Sequence, residues 1–137
     1  MLRQGPISLF LHGAIEYVAG VLLIAAPFLF GFASNAAVAL SIVAGVVVIG
    51  VAASTEGPTS LIGSIPIPVH LLLDFALAAV LIAAPFLFGF SGESAPTAFF
   101  IVLGVLHLLV TIGTRFKSER ERAAPAEAGD IADEMFR

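Results

Sequence analysis

Apolar residues run almost unbroken through four stretches, from about Ile7 to Phe32, Ala36 to Ala53, Val69 to Phe90 and Ala95 to Thr114. A helix needs about 20 such residues to cross a hydrocarbon core about 30 Å thick, so each stretch predicts a transmembrane span. The first is longer than required and predicts tilt or a start in the interface. Ala33–Asn35 and Ser91–Ser94 read as short turns. Ser54–Pro68, with Gly57, Pro58, Gly63, Pro66 and Pro68, reads as a loop. The predicted fold class is all-α, a polytopic membrane protein with four transmembrane helices.

The segment Leu23 to Phe32 recurs unchanged as Leu81 to Phe90, an offset of 58 residues. The same offset carries His12 onto His70, Glu16 onto Asp74 and Tyr17 onto Phe75, and a shift of 59 carries Gly45 onto Gly104 and Thr55 onto Thr114. The chain therefore reads as two parallel two-helix repeats, with a pseudo-twofold axis along the membrane normal. Membrane repeat 1 is expected over residues 1–55, a Pro/Gly linker over 56–68, membrane repeat 2 over 69–114 and a charged tail over 115–137. Pro27 and Pro85 each remove a helix hydrogen bond and predict kinks in the first and third spans. Ala37, Ser41 and Gly45, with Gly104 in the second repeat, form small-residue surfaces suited to close helix packing.

Composition supports the membrane reading. Of the 137 residues 59% are hydrophobic and 12% charged, against about 25% charged in soluble domains. No Lys or Arg lies between Arg3 and Arg115, so no basic patch for nucleic acid exists there. The absence of Cys excludes disulfides and thiolate ligands. Arg3 and the group Arg115, Lys117, Arg120 and Arg122 flank the outermost spans. With an even number of spans, the positive-inside rule then puts both termini in the cytoplasm. The first span could start as a signal peptide, but it exceeds the usual apolar length and is copied at an internal position, so it is read as retained.

Within the spans five ionisable residues stand out: His12, Glu16, His70, Asp74 and His107. Their burial in lipid costs about 2.5–3.5 kcal/mol for a central charge, which makes them candidate site residues. His12 and Glu16, like His70 and Asp74, are four apart and share a helix face. At 1.5 Å per residue Glu16 lies roughly 12 Å, Asp74 roughly 9 Å and His107 roughly 10 Å inside the cytoplasmic edge.

Ala-Pro-Phe-Leu-Phe-Gly-Phe in both halves resembles the Ser-Pro-Trp-x-Leu-Gly-Phe signature of the SPW-repeat membrane proteins, with Ala26 and Ala84 in place of Ser and Phe28 and Phe86 in place of Trp. The resemblance covers Ser8 to Thr114. It implies a prokaryotic membrane protein of two-helix units, with an acidic residue about three turns before each Pro, and implies no established activity.

Three roles stand open for the polar cluster. It can clamp the two repeats, giving a structural or interaction protein. It can relay protons or cations through Glu16 and Asp74 beside His107, although the outer halves of the spans carry no polar path. It can hold a transition metal, or a haem through His12 and His70, as a membrane redox component. No hydrolase or nucleotide motif is present, so an enzyme is not expected and no catalytic residue is assigned. The partners expected are the lipid bilayer and further copies of the chain, in a prokaryotic inner membrane.

Overall fold

The structure, a computed structural model, describes residues 5–115 and 134–135. The expected charged tail falls almost wholly outside the described residues. Four helices follow one another: α1 Leu9–Leu29, α2 Asn35–Ser54, α3 Ile67–Leu87 and α4 Ser94–Gly113. Each is long and apolar enough to cross a membrane, and about a third or less of each span is buried within the chain. The remaining faces are apolar and exposed, with Val18, Phe28, Leu72 and Leu87 among them. Outside a bilayer such faces would be a large unprotected patch.

Helix ends follow from local chemistry. Ser8 and Ser34 cap α1 and α2 by accepting from the amides of Leu11 and Ala37, each at 3.2 Å. The first and third helices stop at Leu29 and Leu87, short of the Phe32 and Phe90 expected from the apolar run. The reason is Gly31 and Gly89, which take φ of 61° and 74°. Beyond them the amides of Phe32 and Phe90 return to the carbonyls of Pro27 and Pro85 at 3.0 and 2.9 Å, closing a Schellman turn. That turn swings Phe32 and Phe90 inward against Phe100, while Phe28 and Phe86 stay exposed. At the other end α3 begins at Ile67, two residues earlier than expected. Pro66 is its N-cap and Pro68 lies in its first turn, where a missing N–H costs nothing.

The helices pair as two hairpins, α1 with α2 and α3 with α4. In the first hairpin the backbones nearly touch: a Cβ on Gly45 would lie 2.6 Å from the Gly20 carbonyl. Ala37 and Ser41 are wholly buried on the same side of α2. Ser41 also has a polar task. Pro27 has no N–H, which leaves the Leu23 carbonyl without its helix partner, and Ser41 Oγ donates to that oxygen at 2.5 Å. In the second hairpin Gly104 packs on Leu81 and Ile82, and Phe100 stands 59 residues after Ser41 as a fully buried ring.

The hairpins meet along a core of Leu23, Ala26, Leu81, Ala84 and Phe100. Polar contacts join them at both ends. At one end Glu93, the N-cap of α4, accepts from the amides of Ala33 and Ser34 at 2.6 and 2.9 Å, at the start of α2. At the other end Ile7 bridges Thr114 and Ile65 bridges Thr55. These bridges bring the start of α1 beside the end of α4, and the start of α3 beside the end of α2. They also deliver two threonines to the site.

Candidate functional site

His12 and Glu16 occupy successive turns of α1, and His70 and Asp74 the matching turns of α3. All four are buried, at 2, 4, 4 and 2% exposure respectively. The i,i+4 spacing places each His over its own acid, at 3.6 Å for His12 Nε2 to Glu16 Oε1 and 3.3 Å for His70 Nε2 to Asp74 Oδ2. The contacts across the hairpins are shorter. His12 Nε2 lies 3.1 Å from Asp74 Oδ2, and His70 Nε2 lies 3.2 Å from Glu16 Oε1. The two Nε2 atoms stand 3.4 Å apart, with the rings edge to face at 68°.

The other nitrogen of each ring meets a threonine from the opposite hairpin. His12 Nδ1 is 2.9 Å from Thr114 Oγ1, and His70 Nδ1 is 2.7 Å from Thr55 Oγ1. Each hydroxyl spends its only proton on a carbonyl one turn back, Thr55 on Val51 at 2.7 Å and Thr114 on Val110 at 2.6 Å. Both threonine oxygens can then only accept, so both Nδ1 atoms carry hydrogen. Nε2 is left as the variable atom of each ring, aimed at the carboxylates.

His107, from α4, brings Nε2 to 3.6 Å from Asp74 Oδ1, the oxygen turned away from the other histidines. That buried nitrogen has no hydrogen-bond partner among the described residues. Thr111 Oγ1 donates to the His107 carbonyl at 2.9 Å and lies 3.4 Å from Asp74 Oδ2. His107 has no counterpart in the first hairpin, since Val48 stands 59 residues before it.

A cavity of about 20 Å³ adjoins the quartet, lined by His12, Glu16, His70, Thr55 and the loop Glu56–Thr59. That is room for about one water molecule. Tyr17 Oη holds this loop down by donating to the Thr59 carbonyl at 2.9 Å, and Thr59 packs on Gly13, where any Cβ would collide with it. Toward the opposite end the core is apolar.

All five ionisable residues singled out in the sequence thus converge. Pro27, Pro85, Ala37, Ser41, Gly45 and Gly104 lie away from the quartet, in helix packing. Thr55 and Thr114 went unassigned at the sequence level, although their matched offset was the signal available. Tyr17, Thr59 and Glu93 gave no comparable signal.

Four membrane-length apolar helices around a buried His/carboxylate quartet define a multi-pass membrane protein. Residues 10–114 match the SPW repeat domain, and the chain belongs to that family. No curated relative and no solved structure matches it.

Proposed function

We propose that the chain is a structural or interaction protein of a prokaryotic inner membrane, with both termini cytoplasmic and its quartet fastening two duplicated hairpins. The observation that carries this reading is the crossing of the contacts: each His lies nearer the other hairpin's acid than its own. In lipid, apolar helix faces gain nothing from meeting each other over meeting acyl chains, so association depends on packing and polar contacts. The quartet supplies the latter. With both imidazoles protonated and both carboxylates ionised it is charge-neutral, with alternating signs around the ring of contacts.

A conducting role is supported less well. One small cavity meets the quartet on the loop side, and a second of about 220 Å³ meets Glu16 and Asp74 through the apolar walls of Val48, Val51 and Leu77. Beyond the quartet stand Leu23, Ala26, Leu81, Ala84 and Phe100. The test is paired. Purified protein should lose stability on Asp74→Asn or Glu16→Gln, and in liposomes the wild type should not dissipate a pH gradient. A proton flux that both substitutions abolish without loss of fold would overturn the structural reading.

A further inference from the structure

We infer that the quartet is a binding site for one divalent transition metal ion of the zinc class, held by His12 Nε2, His70 Nε2, Glu16 Oε1 and Asp74 Oδ2. The inference rests on the proposed clasp, because the ligands come in equal number from each hairpin. The donor geometry carries it. An ion bound tetrahedrally at about 2.0–2.1 Å has ligand atoms about 3.3 Å apart. The separations from His12 Nε2 and His70 Nε2 to each other and to the two oxygens run from 3.1 to 3.6 Å. All four donors lie within 4.8 Å of one another. Two imidazoles sharing such an ion through Nε2 would hold their ring centroids about 5.2 Å apart, and the observed separation is 5.5 Å.

Two further features point the same way. A metal-bound histidine characteristically donates its other N–H to a fixed acceptor, which orients the ring. Thr114 and Thr55 are such acceptors, each itself locked by a helix carbonyl. Charge also matches: two carboxylates offset a divalent ion, so the loaded centre with neutral imidazoles is uncharged. The cavity beside Glu56 offers the ion a way in from the loop side and space for one water. A haem fits poorly, since both Nε2 atoms share their space with two carboxylate oxygens and leave no plane free for a macrocycle.

The ion reports itself directly. Full-length protein, purified in detergent with chelator and then dialysed free of it, is titrated with Co²⁺ and afterwards with Zn²⁺. The expected result is one Co²⁺ per chain with the intense visible absorption of tetrahedral cobalt, bleached by stoichiometric Zn²⁺. Ion and protons compete for the same ligand atoms, so affinity falls as pH falls. Among the described residues His107, facing Asp74, Glu56, at the cavity, and Tyr17, bonded to the cavity loop, are further titratable groups near the site. His12→Gln or His70→Gln should abolish the band. Thr55→Val and Thr114→Val, which keep all four ligands, should weaken binding about 10–100-fold.

Wild-type protein that stays colourless and takes up no stoichiometric Zn²⁺ overturns the metal site and leaves the clasp standing. Full binding by the two Gln variants places the ion elsewhere and also overturns it. If Asp74→Asn is as stable as wild type in chelator, the clasp itself fails.

Discussion

Asp74→Asn removes one charge and almost no volume, which makes it the sharpest probe of the clasp. Asp74 is 2% exposed and serves three histidines, with Oδ2 at 3.1 Å from His12 and 3.3 Å from His70, and Oδ1 at 3.6 Å from His107. The amide keeps one acceptor, turns the other oxygen into a donor and leaves the imidazoles facing a single carboxylate. Breaking a buried charge set by removing one partner costs about 3–5 kcal/mol. Glu16 contacts two histidines, at 3.2 and 3.6 Å, and its amide variant should cost less. The assay is unfolding by SDS titration in mixed micelles, followed by helical circular dichroism, with chelator present so that the ion-free clasp is measured. A loss below about 0.5 kcal/mol for Asp74→Asn, the range of unremarkable surface changes, would show that Asp74 does not hold the hairpins together.

Other consequences can be read in the same assay. Ser41→Ala should cost about 1–2 kcal/mol because it orphans the Leu23 carbonyl. The loss should shrink in a Pro27→Ala background, where residue 27 regains an N–H for that oxygen; equal losses in both backgrounds would disprove the link. Gly45→Ala should destabilise more than Gly104→Ala. The first Cβ meets the Gly20 carbonyl at 2.6 Å, whereas the second meets the Ile82 side chain at Cγ1, 2.8 Å away, and no backbone atom nearer than the Ala78 carbonyl at 3.2 Å. Glu93→Ala should cost about 1 kcal/mol through the start of α2, and no change there would show that this cap is idle.

The four spans and the five polar residues were legible because lipid is an unforgiving solvent: an uninterrupted apolar run and an isolated charge both stand out in it. The exact recurrence of Leu23–Phe32 gave the pairing of helices into hairpins. What one-dimensional spacing could not give was the crossing of the contacts. The four-residue interval reports His12 over Glu16 and His70 over Asp74, the longer members of the set, and is silent on the hairpins' approach. Thr55 and Thr114 were visible as a matched pair, but their contact with the histidines depends on the Ile65 and Ile7 bridges beyond the helix ends. Ser41 read as a small packing residue because its hydroxyl matters only when set against the proline at position 27. The helix ends moved for a similar reason. Phe32 and Phe90 continue the apolar run, and only the left-handed glycines before them turn the chain back into the core.

The most direct test of the crossed clasp is magic-angle-spinning NMR on full-length protein in lipid, with ¹⁵N-labelled histidine and ¹³C-labelled Asp and Glu. A crossed clasp gives through-space contacts from His12 Nε2 to the Asp74 carboxyl and from His70 Nε2 to the Glu16 carboxyl, with Nδ1 protonated in both rings. Contacts confined to His12–Glu16 and His70–Asp74, with none between the hairpins, would contradict it.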